Sequence, residues 1–172
     1  MQQLLNFFWQ MCLMRTGPDR APTATPLIAL VVTLYLFIST VSLFISGSDM
    51  GFLIALMMVV ASLLVETSCV WLLLVFKKVI HRFRATLVAL LGTSCILNIM
   101  LVPFNLLALN TDNESIRVFA STTDLLVFGW WVAVAGFIYS RAINVSIIQG
   151  SALALAIQVL CVVASSPMQP AS

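Results

Sequence analysis

Two long apolar runs, residues 52–76 and 85–109, are joined by eight residues that hold Lys77, Lys78, Arg82 and Arg84. No other feature constrains this chain as strongly. Runs of that length exceed the roughly 20 apolar residues a helix needs to cross a bilayer. The turn carries half of the chain's eight Lys and Arg residues, and short loops rich in Lys and Arg stay on the cytoplasmic side. The pair therefore reads as a helical hairpin across a membrane, and the other spans take their orientation from it.

Composition agrees. Hydrophobic residues make up 62% of the 172 and charged residues 8%, where soluble domains carry about a quarter charged; mean hydropathy is +1.12. The reading is an all-α, polytopic membrane helical bundle of five transmembrane helices preceded by a short interfacial amphipathic helix. There is no room for a separate soluble domain. The net charge of +2 gives no reason to expect nucleic acid, because the cations lie where membrane topology requires them.

In order, residues 1–26 form an interfacial helix and a linker, 27–164 the transmembrane domain and 165–172 a disordered tail. Gln3, Asn6 and Gln10 fall on one helical face of the first segment, with Leu4, Leu5, Phe8, Met11 and Cys12 on another, the pattern of a helix lying in the interface. Its cations, Arg15 and Arg20, follow the apolar residues, unlike those of a signal peptide, so the segment is expected to be retained. Spans are expected at about 27–45, 52–76, 85–109, 125–139 and 145–164. The polar stretch 110–124 reads as a loop in which Asp124 or a preceding hydroxyl caps the fourth span. Asn113-Glu114-Ser115 within it is a formal glycosylation sequon.

With five spans, Arg15, Arg20, Lys77, Lys78, Arg82, Arg84 and Arg141 fall on one side and Arg117 alone on the other. That seven-to-one split predicts a cytoplasmic N-terminus and an exterior C-terminus. A four-span alternative, with Arg141 snorkelling within a bent helical pair, would return the C-terminus to the cytoplasm.

Glu66 is the one carboxylate this reading sets deep in an apolar segment. Insertion scales put that cost at about 2.5 to 3.5 kcal/mol, and each Leu, Ile, Val or Phe offsets about 0.3 to 0.6 kcal/mol, so the span inserts regardless. Counting inward from the basic turn, Thr93, Ser94, Cys95 and Asn98 lie at nearly the same depth. Glu66, Ser94, Cys95 and Asn98 thus form a candidate intramembrane polar site. Its readings are an interhelical polar clasp, a proton- or ion-coupled site, or a contact with a partner's span. Pro103 removes a backbone donor and is expected to kink its helix, with Asn105 and Asn98 repairing the freed groups or lining a polar cavity open to the exterior.

Small residues at four-residue spacing permit close helix packing. Ser146, Gly150 and Ala154, continued by Gln158, form one such ridge, and Gly129 with Ala133 another; they serve contacts within the protein or a dimer face. Trp9, Trp130 and Trp131 are candidate interface anchors, the adjacent pair possible at greater depth. Lys77, Lys78, Arg82 and Arg84 set topology and are placed to hold anionic lipid. Four widely spaced cysteines and a single His81 give no metal-ligand spacing, and neither a metal nor another cofactor is expected. Nucleotide-binding loops, nucleophile elbows and paired catalytic carboxylates are not found, so an enzyme is not expected.

The stretch His81-Arg82-Phe83-Arg84-Ala85-Thr86-Leu87-Val88-Ala89-Leu90-Leu91-Gly92, and Trp130-Trp131 through Arg141-Ala142-Ile143-Asn144 into a last span with small residues, resemble the Yip-domain family of Ypt/Rab-interacting five-span membrane proteins, in particular its prokaryotic-type relatives. The resemblance covers about two-thirds of the chain and implies a small multispan scaffold acting through membrane partners or lipids. Eukaryotic members carry a longer N-terminal region with a Tyr-Gly-Pro element; here only Thr16-Gly17-Pro18 is present, and Rab binding is not carried over. Arg15-Thr16-Gly17-Pro18-Asp19 is similar to the start of small proteobacterial inner-membrane proteins, which points to a bacterial inner membrane. The leading expectation is a non-enzymatic accessory protein whose spans bind membrane lipids and a membrane-protein partner or a second copy. The rival is a small proton-coupled transporter or channel component using Glu66.

Overall fold

The computed structural model describes residues 2–18, 24–46, 51–111 and 113–166, with backbone alone at 2–5 and 46. Residues 19–23 of the expected linker, residues 47–50 between the first two spans, Asp112 and the tail from 167 fall outside those residues. Among the described residues six α-helices follow one another: α1 (Gln2–Cys12), α2 (Thr25–Ser46), α3 (Phe52–Phe76), α4 (Phe83–Leu109), α5 (Glu114–Ile143) and α6 (Ile147–Ser165). No strand occurs among the described residues. Helices α2 to α6 are each long and apolar enough to cross a bilayer, and the chain is an integral membrane protein.

Helix α4 lies at the centre. Residues 86–93 are buried without a break, and a helix apolar on every side is stable only when surrounded. Helix α2 runs parallel to it: Val31 packs with Leu87 and Val88, and further along Asn98 Nδ2 donates to Ser39 Oγ at 3.3 Å. Helix α5 is antiparallel to α4, with the Phe104 and Phe119 rings 6.2 Å apart at one end and Trp131 Nε1 donating to Ser94 Oγ at 3.0 Å nearer the other. Helix α6 returns against α5 and α3, where Cys161 Sγ donates to the Ser62 carbonyl at 3.5 Å.

The basic turn tightens into a short 3₁₀ segment, Ile80–Arg82. Arg82 Nη1 donates to the carbonyls of Arg141 (3.0 Å) and Ala142 (3.3 Å), which as last-turn carbonyls of α5 lack helical donors. Asn144 then takes a left-handed conformation (φ 55°) that ends α5, a backbone that Asn tolerates better than most residues. Ser146 opens α6 with a capping box shared with Gln149.

Two elements differ from the sequence reading. The fourth span begins at Glu114, not near residue 125, because Asn113 Oδ1 accepts the Ser115 amide at 3.0 Å and caps the helix there. Ser121, Thr122 and Thr123 do not break it. Their hydroxyls donate to the carbonyls of Arg117, Val118 and Phe119, four residues earlier. Asp124 is accordingly inside α5 and caps nothing.

The apolar face of α1 docks on the bundle itself. Met11 and Cys12 are fully buried, Cys12 clusters with Leu97 and Val127, and Trp130 Nε1 donates to the Cys12 carbonyl at 2.9 Å. A Cβ on Gly92 would strike the Phe8 ring, so glycine at 92 makes room for α1. Trp131 bonds to Ser94 in the middle of α4, and Trp130 bonds to Cys12, the fully buried last residue of α1, which places the pair inside the bundle.

Candidate functional site

The bundle has two unlike halves. Toward the basic turn, Val70, Leu74, Leu90, Val134, Ile138 and Tyr139 form a continuous packed core. Toward the opposite, distal end the five long helices separate around a cavity of about 670 Å³. Leu109, Ser121 and Ser165 line it near the helix ends, and Glu66 lines it at depth. A second cavity of about 200 Å³ adjoins, sharing Tyr35, Glu66, Asn98, Asp124 and Gln158 and adding Ser94, Phe128 and Trp131.

Every span contributes polar groups at helical spacing. Helix α2 gives Tyr35, Ser39 and Ser42; α3 gives Ser62 and Glu66; α4 gives Asn98 and Asn105. Helix α5 adds Ser121 and Asp124, and α6 adds Gln158 and Ser165. Separations of three, four and seven put each set on one helical face, so the five polar stripes converge on one space. Polar residues within membrane helices face a bundle interior or a water-filled cavity.

Glu66 has no hydrogen-bond donor or cation on its carboxylate among the described residues. The groups expected to hold it are engaged elsewhere. Thr93 donates to the carbonyls of Ala89 and Leu90, Ser94 accepts from Trp131, and Asn98 donates to Ser39. Ser39 in turn is within hydrogen-bonding reach of Tyr35. None of Thr93, Ser94 and Asn98 is hydrogen-bonded to the Glu66 carboxylate. Asp124 is the second carboxylate of the cavity, and its Oδ1 is sealed without a hydrogen-bond partner among the described residues. Among the described residues no Lys, Arg or His lines either cavity, and the charged groups on their walls are acidic.

Of the residues singled out in the sequence, Glu66, Ser94 and Asn98 meet at the smaller cavity. Cys95 is buried and lies close to Tyr35. Asn105 lines the larger cavity, while α4 continues through Pro103 to Leu109. Gly150 and Ala154 are buried, and Gln158 lines both cavities. Ser146 is the N-cap of α6. Ala133 is half-buried, and a Cβ on Gly129 would meet nothing. Lys77, Lys78 and Arg84 are exposed at the basic turn, and Arg82 is half-buried against α5. All four cysteines are free, and no group of three or more His, Cys, Asp or Glu suited to a metal occurs among the described residues.

Sequence reasoning missed Asp124, Tyr35, Ser39, Ser62 and Gln158 as members of one site. The signal was present in the polar stripes, whose helical spacing recurs in each span. No family model, curated protein or solved structure matches the chain.

Proposed function

We propose that this protein is a small proton-coupled transporter or channel component, in which the cavity opens to the exterior side and protons pass by way of Glu66. The observation that carries this reading is Glu66 itself, an unpartnered carboxylate on the wall of a cavity to which all five spans contribute. Leaving an ionisable group unpaired within a membrane costs several kcal/mol, and such residues mark solute paths and proton relays. A purely structural clasp calls for a donor on the carboxylate. The seven-to-one division of Lys and Arg puts the basic turn in the cytoplasm, which opens the cavity outward, in a bacterial inner membrane toward the periplasm.

The accessory-protein expectation drew on small-residue ridges available to a partner. Gly150 and Ala154 are buried within the chain's own helix contacts, and a scaffold of the Yip kind has no need of an acidic cavity. The test is reconstitution in liposomes holding a pH-sensitive dye, with an imposed inside-negative potential driving protons inward. Wild-type protein should acidify the lumen, and Glu66→Gln, inserted to the same level, should not. Equal acidification by the two would overturn the role of Glu66. A Glu66→Gln variant that cannot fold would favour the clasp.

A further inference from the structure

We infer that the basic end of the α3–α4 hairpin holds one anionic diacyl phospholipid, its phosphate against Lys77, Lys78 and Arg84 and an acyl chain in the groove lined by Trp71 and Phe83. The groove shares no lining residue with the two cavities around Glu66, and the site does not rest on the transport reading.

The groove, of about 470 Å³, is walled by Thr67, Ser68, Cys69, Trp71 and Leu72 of α3 and by Phe83 at the start of α4. The turn that joins these two helices therefore stands at its mouth. Trp71 and Leu72 are 49% and 51% exposed, while Phe83 packs against both core clusters behind it, so one wall is fixed by the core and the other faces the bilayer. Thr67 lies ten residues before Lys77, about 15 Å along the helix at 1.5 Å per residue. That is half of the roughly 30 Å hydrocarbon core. The groove thus spans the depth of one leaflet, the reach of a single acyl chain.

The cations at the mouth are free to take an anion. Arg82 is drawn onto the α5 carbonyls, which leaves Lys77, Lys78 and Arg84 exposed and without an acidic partner among the described residues. Lys78 carries a second sign. Helix α3 ends in a Schellman motif in which the Lys78 amide donates to the Val75 carbonyl and the Val79 amide to the Leu74 carbonyl, both at 2.9 Å, and Lys78 itself takes φ 57°. Glycine is the usual residue at that position, because a Cβ crowds the left-handed backbone. A lysine held there against that preference points to a use for its charge. Basic pockets between membrane helices bind anionic lipid headgroups, and the apolar groove below the turn selects a ligand that brings a hydrocarbon chain with its phosphate. A soluble phosphate ester would leave the groove unfilled.

The experiment is reconstitution of the full chain in phosphatidylcholine vesicles carrying increasing fractions of either chain-brominated phosphatidylglycerol or chain-brominated phosphatidylcholine, read by quenching of tryptophan fluorescence. The share of Trp71 is the difference between wild type and Trp71→Phe. Half-quenching of that share should need at least tenfold less of the phosphatidylglycerol than of the phosphatidylcholine. Lys78→Gly and Arg84→Gln should each cut the preference about fivefold, the worth of one cation near an anionic surface. Lys78→Gly should also raise the thermal midpoint, because glycine suits the left-handed backbone, so a lost preference in that variant is not a failure to fold. Equal quenching of Trp71 by the two lipids would overturn the site. So would a phosphatidylglycerol preference that Trp71→Phe leaves undiminished, or one that is unchanged in both charge variants.

Discussion

A Cβ on Gly150 would fall on the carbonyl oxygen of Gly136. Helices α5 and α6 therefore meet backbone to backbone, and the contact excludes any side chain at either position. Gly150→Leu is expected to destabilise the fold by at least the 1 to 3 kcal/mol typical of overpacking, read as a lower thermal midpoint in detergent. Gly129 is the control. A Cβ there has open space, so Gly129→Ala should be neutral or raise stability by up to about 1 kcal/mol, the helix-propensity gain of alanine over glycine.

Capping by Asn113 sets where α5 begins. Replacing it with Ala should cost about 0.5 to 2 kcal/mol and fray the first turn. Hydrogen exchange at residues 114–118 should speed up, while exchange at 134–140 stays slow because that stretch is buried in the packed half.

That helix also shows where reading the sequence stops. The run 52–76 is bounded by Gly51 and Lys77 and was legible to the residue, as was the equal depth of Glu66 and Asn98, counted from the basic turn. The start of α5 was not, because Ser121, Thr122, Thr123 and Asp124 look like a loop until each hydroxyl is seen to bond its own helix. Rotation of the helices was written only in the sparse polar stripes. The rest of each span is apolar on almost every side and carries little facing signal, so only those stripes could place Tyr35 or Gln158 beside Glu66. The docking of α1 depends on a glycine in α4, and its amphipathic pattern alone suits either a membrane surface or a protein groove.

Cys12 gives the docking of α1 a pH signature. Burial pushes its thiol from 9.0 up to about 11, so the thiolate that reacts with maleimides is scarce at pH 8. Labelling in the native protein should be slow and should quicken in Gly92→Leu, which displaces Phe8. The unfolded chain releases this proton near pH 9 and the folded chain near pH 11. The contribution to stability is therefore complete below pH 9 and is lost as pH rises from 9 to 11.

Arg82 closes the last turn of α5 through two carbonyls. Arg82→Lys keeps the charge that orients the hairpin but gives up the planar fork. Stability should fall by about 1 kcal/mol, the usual net worth of such bonds, with topology unchanged when read by protease protection of a C-terminal tag.

The central claim is an acidic, water-accessible cavity that reaches Glu66 from the distal end and stops at the packed half. It is tested most directly by cysteine accessibility in a background with Cys12, Cys69, Cys95 and Cys161 replaced by Ser. Ser62→Cys lies on the cavity wall one turn from Glu66, and Leu74→Cys lies in the packed core. With the protein in sealed vesicles of known orientation, the account predicts that Ser62→Cys reacts with a small impermeant cationic thiosulfonate from the distal side. Reaction with the anionic analogue should be at least tenfold slower, and Leu74→Cys should react with neither. An unreactive Ser62→Cys, or one labelled equally fast by both reagents, would contradict the account.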